Sequence, residues 1–274
     1  MKAKLHLPPG SRGFARHMAA PLARISSHRH DELEVNLVLA GSATYLFGRE
    51  RAPLVPGSMI WLFPGQEHVL VDFSHDLSIW VLVFRQDLVR EFSGDATRAP
   101  LLLDDPGSIF CRQLNAPTVT RLNTIFQSAS IDTEDQEFAN AALPHAMVAA
   151  WQAYQFSREP VVFTDVHPAV AKAARLISES EDPPRLAELS RRAGLSVARL
   201  SRLFKQQTGT SLTAFRQRHC LERFFRIYRT GARYSLIEAA LLAGFGSYPQ
   251  FHRVFQQQIG QSPARYFREL PRSG

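Results

Sequence analysis

A helix-turn-helix pattern occurs twice in the last third of this 274-residue chain. The first copy runs from Leu186 through Gly194 to Thr208, and the second from Leu236 through Gly244 to Ile259, which places the two glycines fifty residues apart. In each copy a short helix with apolar periodicity closes at a glycine able to take positive φ. A serine follows, Ser196 or Ser247, in the position of an N-cap for a second helix. That second helix carries an arginine two residues before a phenylalanine, Arg202 and Phe204 in one copy, Arg253 and Phe255 in the other. A single such pattern is a weak signal. Two in register constrain the C-terminal part to an all-α domain with two equivalent units.

Between the copies, residues 212–229 read as one long helix. Leu212, Phe215, Leu221, Phe224, Phe225 and Tyr228 form its apolar side, and Arg216, Arg218, Arg223, Arg226 and Arg229 decorate the rest. Eighteen helical residues span about 27 Å. With a packing offset at each end, that suits two helices held about 34 Å apart, the distance between successive major grooves on one face of a duplex. The charge distribution agrees. Residues 168–274 hold 18 basic and 7 acidic side chains, a net of +11, whereas the remainder holds 14 and 18, a net of −4. A positive excess confined to the repeated motif is the footprint of phosphate contact.

Within the first candidate recognition helix, Leu200, Leu203 and Phe204 have core spacing, which leaves Val197, Ala198, Ser201 and Arg202 outward. In the second, Phe251, Val254 and Phe255 are the core set and Tyr248, Gln250 and Arg253 face out. Arginine pairs bidentately with guanine and glutamine with adenine, so these are the candidate base readers. Arg199, Lys205 and Arg191 are candidate phosphate contacts, which position a protein without specifying sequence.

The N-terminal part has a different texture. Leu33, Val35, Leu37 and Leu39 alternate with polar residues, and 43–47, 58–63 and 77–84 are short β-rich runs separated by Gly41, Gly48, Pro56-Gly57 and Pro64-Gly65. Strand patterning begins near Ala23, which leaves residues 1–22 as an arm or a disordered end. Many short strands with Gly and Pro turns indicate an antiparallel barrel or jelly roll. Residues 118–128 and about 134–157 follow as two helices, the second carrying Phe138, Leu143, Met147, Trp151 and Tyr154 on one face, with Pro144 expected to kink or divide it. They serve as a lid on the barrel or as a dimerisation face. Residues 158–167, with Pro160 and no periodicity, read as a linker. The domain bounds are therefore 1–157 for the strands and their helices, 158–167 for the linker and 168–274 for the part with the two helix-turn-helix copies. Two cysteines in different halves, no apolar run of membrane-spanning length and no apolar signal core fit a cytoplasmic chain.

Residues 168–274 resemble the DNA-binding domain of the AraC/XylS family of bacterial transcription regulators. The resemblance rests on Ala243-Gly244-Phe245-Gly246-Ser247, Phe251, Arg253, Phe255, Gly260, Ser262-Pro263 and Tyr266. It implies a seven-helix domain in which Ala198, Ser201 and Arg202 of the first unit, and Tyr248, Pro249, Gln250 and Arg253 of the second, meet base edges. Departures are the small Ala198, Pro249 in the first turn of its helix and the bulky Phe224 and Phe225 in the connecting helix.

His28-x-His30, Glu34 and Gly41 resemble the first metal motif of the cupin superfamily, and Pro64 to His68 the second, one residue short. On a strand, positions 28, 30 and 34 share a face, and His68 from a neighbouring strand completes a set of three nitrogens and one oxygen suited to a divalent metal. Two arrangements stay open: this face lines the barrel, with either a metal or a metal-free organic-effector pocket, or the Leu33 to Leu39 face is the interior and the histidines lie outside. Trp61, Phe63, Trp80 and Phe84 are pocket or core aromatics.

The expectation is an α+β multidomain regulator, with a cupin-like antiparallel β-barrel and helices before an all-α domain of two helix-turn-helix units. It binds promoter DNA in response to a small-molecule or metal effector, with a second copy of the chain and RNA polymerase as candidate partners and no membrane partner. The rival reading is a metal-dependent cupin enzyme with a DNA-binding appendage.

Overall fold

The computed structural model describes residues 7, 10–19, 31–131, 135–157, 159–180, 182–229 and 234–269. They fall into two units, with the boundary between Asp165 and Val166.

The first unit is built on two antiparallel sheets. Its strands are β1 (Gly13–Ala19), β2 (Leu33–Ala40), β3 (Ala43–Phe47), β4 (Glu50–Leu54), β5 (Ser58–Leu62), β6 (His68–Phe73), β7 (Ser78–Phe84), β8 (Phe110–Gln113) and the short β9 (Glu159–Pro160) and β10 (Thr164–Asp165). One sheet has the order β1-β7-β2-β5-β8-β9 and the other β10-β4-β3-β6. Gly41 makes the β2–β3 turn at φ 71°, and a Cβ there would come 2.7 Å from the Leu77 backbone nitrogen, so both conformation and space require glycine.

Three features differ from the sequence reading. Strand structure begins at Gly13, not near Ala23: β1 pairs along its whole length with β7, from Gly13 opposite Phe84 to Ala19 opposite Ser78. The stretch 158–167 carries two strands, with β9 on β8 and β10 on β4, so backbone pairing ties it to both sheets. Residues 85–110, to which no element is assigned from the sequence, form α1 (Gln86–Phe92) and a 3₁₀ turn over Ala99–Leu102 before β8.

Helices α2 (Ala116–Ser128) and α3 (Gln136–Phe156) cover the larger sheet. The side chains of Asn115 and Asp135 cap them by accepting from the Thr118 and Phe138 N–H groups. Pro144 lies inside α3 without dividing it. Leu33, Val35, Leu37, Met59, Trp61, Phe63, Trp80 and Phe84 pack with Leu122, Phe126, Met147 and Trp151 in one core between sheet and helices. The four aromatics are therefore core, and the Leu33 to Leu37 face lies outside the barrel. Phe138, placed on the apolar face of α3 from its spacing, is 55% exposed.

The second unit is all helix: α4 (Pro168–Ser178), α5 (Leu186–Ala193), α6 (Val197–Thr208), α7 (Leu212–Arg229), α8 (Leu236–Leu242), α9 (Tyr248–Ile259) and α10 (Pro263–Glu269). The apolar positions of α7 are shared between two cores. Phe215 packs on Phe204 of α6, while Phe224 and Phe225 pack on Phe251 and Phe255 of α9 and on Phe267 of α10.

Candidate nucleic-acid interface and barrel interior

The two helix-turn-helix units are α5–α6 and α8–α9. Gly194 caps α5 at φ 72°, and Gly244 follows α8 at φ 96°. Both second helices start on a serine cap, with Ser196 Oγ accepting from Arg199 N–H at 3.3 Å and Ser247 Oγ from Gln250 N–H at 3.4 Å. Leu200 and Phe204 in α6, and Phe251, Val254 and Phe255 in α9, are the buried positions. These buried stripes fix which side of each helix is left outward.

On those outward sides Arg199, Arg202 and Lys205 of α6 and Arg253 of α9 are exposed, while Ser201, Tyr248 and Gln250 are half-buried. The four cations form no ion pair with any described residue. Elsewhere in the same unit cations are engaged: Arg192 with Glu188, Arg223 with Asp182 and Arg265 with Glu269. Exposed cations that pair with no described carboxylate, with Arg202 and Arg253 at equivalent places in the two helices, form a surface suited to a polyanion.

Gln250 has a second occupation that sequence reasoning missed. Its Oε1 accepts a hydrogen bond from the Gly246 N–H at 2.9 Å. With Ser247 this gives a reciprocal cap closely related to the Ser-x-x-Glu box that Ser235 and Glu238 form at α8. A bidentate contact to adenine needs that oxygen, so base reading and capping compete at this residue. The Ser247-x-x-Gln250 spacing is the signal that would have revealed it.

In the first unit, the alternate face of β2 turns toward the other sheet. Asn36 Nδ2 donates to Glu34 Oε1 at 2.8 Å and to the Tyr45 hydroxyl of β3 at 3.1 Å. Asn36 is fully buried, yet its Oδ1 has no hydrogen-bond partner among the described residues. Burial and the neighbouring Glu34 carboxylate push the Tyr45 phenol well above its ordinary range, so it is a neutral hydroxyl. His68 stands beside Tyr45, with ring centroids 6.3 Å apart, and its Nδ1 is 3.0 Å from the Gln66 carbonyl oxygen. A carbonyl oxygen only accepts, so Nδ1 is the donor in that contact. Of the four metal-ligand candidates, Glu34 and His68 thus belong to the barrel interior, and His28 and His30 lie outside the described residues. Among the described residues no group of three His, Cys, Asp or Glu side chains is disposed to hold a metal ion. Glu34 and His68 are chemically suitable ligands for a divalent metal.

With this geometry established, the relatives of the chain can be named. A helix-turn-helix domain family matches residues 189–269, and the AraC-like ligand binding domain family matches residues 13–147. The chain belongs to the AraC family of transcription regulators. It is 20% identical over 250 residues to the HTH-type transcriptional activator RhaR of Mannheimia succiniciproducens, covering 87% of this chain and 86% of that one. Among solved structures, ToxT of Vibrio cholerae aligns over 96% of this chain and 98% of its own, at 13% identity and TM-score 0.37. An AraC-type DNA-binding domain protein of Chromobacterium violaceum covers 39% of this chain and 96% of its own, at 23% identity and TM-score 0.32. The protein is therefore a DNA-binding transcription regulator with a ligand-binding domain, and the rival reading as a cupin enzyme falls. Among the described residues no helix is long and apolar enough to cross a membrane.

Proposed function

We propose that this protein reads a two-part promoter site through α6 and α9 and is controlled by a small organic effector bound between its two sheets. The observation that carries the DNA reading is the equivalence of Arg202 and Arg253. Each is exposed, each stands six residues past the serine cap of its helix, and neither forms an ion pair with a described residue. Arg202 and Arg253 read guanines, Ser201 and Tyr248 line the same grooves, and Arg199 and Lys205 hold phosphates. Binding of the full chain to its selected site should weaken steeply with salt, since each neutralised phosphate releases counterions. An affinity indifferent to salt would overturn this reading.

The effector assignment rests on the Asn36 Oδ1. A buried acceptor left without a donor costs about 1–3 kcal/mol, and a ligand N–H or O–H in the barrel would recover it. Thermal shifts of the full chain against a panel of small amides, alcohols and sugars test this. A binder should raise the melting temperature of the wild type and lose that effect in Asn36→Ala; a shift that persists in the variant would remove Asn36 from the site. A divalent metal held by His28, His30, Glu34 and His68 is the second reading, since a histidine whose Nδ1–H donates to a backbone carbonyl is the usual form of a ligand that binds metal through Nε2. Such a metal would supply a fixed positive centre for an anionic effector, and elemental analysis beside His68→Ala decides between the two.

A second copy of the chain is the expected partner. Phe138 and Phe156 are exposed on α3, and eighteen residues bring them to the same helical face five turns apart. RNA polymerase, in the cytoplasm, is the further partner of this proposed regulator of transcription.

A further inference from the structure

We infer that Arg216 is a positioning residue that locks the two helix-turn-helix units at one mutual spacing, and so sets the half-site separation the protein accepts. The inference rests on the two-groove reading above.

Arg216 lies in α7, half-buried, and its guanidinium touches no carboxylate in the contacts it makes. It is spread instead over three backbone carbonyls. Nε donates to Pro184 O at 2.8 Å and Pro183 O at 3.2 Å, and Nη2 to Pro183 O at 2.9 Å and Gly244 O at 3.2 Å. Pro183 and Pro184 lead into α5, the first helix of the first unit. Gly244 is the turn of the second. A single side chain therefore ties the entry of one DNA-reading unit to the turn of the other, across the helix they share.

Neighbouring groups brace the same junction. Arg223, two turns further along α7, pairs with Asp182 at 2.7 Å and holds the approach to Pro183. Gly244 is packed close: a Cβ there would lie 3.3 Å from Asp182 Oδ1, 3.4 Å from Cys220 Sγ and 3.6 Å from Arg216 Nη2. Its φ of 96° suits glycine, a side chain would crowd the junction, and its carbonyl lies within reach of the guanidinium. Only a planar fork with several donors serves carbonyls from separate segments at once; a lysine ammonium is a point donor and cannot hold the same geometry. Apolar packing seats each recognition helix on α7, and the Arg216 fork removes the remaining freedom of one unit to pivot against the other.

The test uses the full chain, with a site first selected from a random DNA library. Wild type should prefer one separation of the two half-sites. Adding or removing one base pair, a displacement of about 3.4 Å and roughly a tenth of a turn, should weaken binding about tenfold, the scale of a mismatched pair. In Arg216→Lys the profile should flatten to within about threefold over the same range, with base preference inside each half-site kept. Asp182→Ala, a change at an exposed side chain, should flatten it in the same direction by less. Independently of DNA, spin labels at Gln206→Cys and Gln257→Cys, both exposed, report the distance between α6 and α9. Its distribution should be narrow in wild type and broaden in Arg216→Lys. Unchanged spacing profiles in both variants, or a uniform loss of affinity with an unchanged optimum, overturn the assignment and leave Arg216 a stability residue. A wild type that selects no two-part site overturns the two-groove reading itself, an outcome the label distances distinguish from failure of the lock alone.

Discussion

The ring of Phe224 lies 4.4 Å from that of Phe251, centroid to centroid, and joins the connecting helix to the second recognition helix. At the other end of α7, Phe215 and Phe204 stand in the same relation at 5.4 Å. One helix thus serves as the floor of both DNA-reading units. The bulk at Phe224, a departure from the family pattern, fills the centre of an aromatic cluster that also includes Phe255, Tyr228 and Phe267. Removing a fully buried ring leaves a cavity as well as lost transfer energy, so Phe224→Ala should destabilise the second unit by about 3–5 kcal/mol in urea unfolding. A loss under about 1 kcal/mol would mean that the ring is not central to that core.

Ser247 and Gln250 divide capping from reading at α9. Ser247→Ala should cost about 1 kcal/mol of stability, the usual worth of an N-cap. Gln250→Ala should likewise lower the melting temperature, with a small effect on base choice, because its side-chain oxygen is already committed to the Gly246 N–H. Selection of bound DNA by the Gln250→Ala variant checks this: loss of an adenine preference would show that Gln250 leaves its cap on binding.

His219 is buried and Glu222 largely covered on α7, with His219 Nδ1 and Glu222 Oε2 3.6 Å apart. Burial pushes Glu222 up to about 8, against the pull of Arg218 and Arg226, and burial with those same guanidiniums pushes His219 down to about 3. Both are therefore neutral near pH 7. The folded carboxyl titrates above its unfolded value of 4.5, so between that value and about 8 the unfolded chain binds fewer protons and stability falls as pH rises. His219 acts at the other end: its folded value lies below 6.5, and stability falls as pH drops from there toward 3. Glu222→Gln removes the first effect alone. Its melting temperature relative to wild type should climb from pH 5 to pH 8; a difference that stays constant across that range would show Glu222 to be ionised in the fold.

What the sequence revealed, and what it hid, follows from how local each signal is. The paired helix-turn-helix units were legible because each rests on a 3.6-residue apolar period, a serine cap and a glycine at positive φ, all within about twenty residues. The bounds of α6, α7 and α9 agree with that reading to the residue. The inner face of β2 was not legible. Leu33, Val35 and Leu37 face helices while Glu34, Asn36 and Val38 face the second sheet, so both sides are largely buried and alternation alone does not say which is the interior. Strand β1 was hidden because Gly13–Ala19 has mixed chemistry and becomes a strand only through its pairing with β7. The Asn36 to Tyr45 contact and the Arg216 lock join residues that no local pattern connects.

The central claim is that two equivalent arginines read two halves of one site. Selection of bound sequences from a random library, with wild type, Arg202→Ala and Arg253→Ala in parallel, tests it most directly. Wild type should return two short motifs centred about one helical turn apart. Each variant should lose about 1–3 kcal/mol and relax base preference in one half only, a different half for each. Relaxation of the same half by both variants, or a single continuous motif from wild type, would contradict the account.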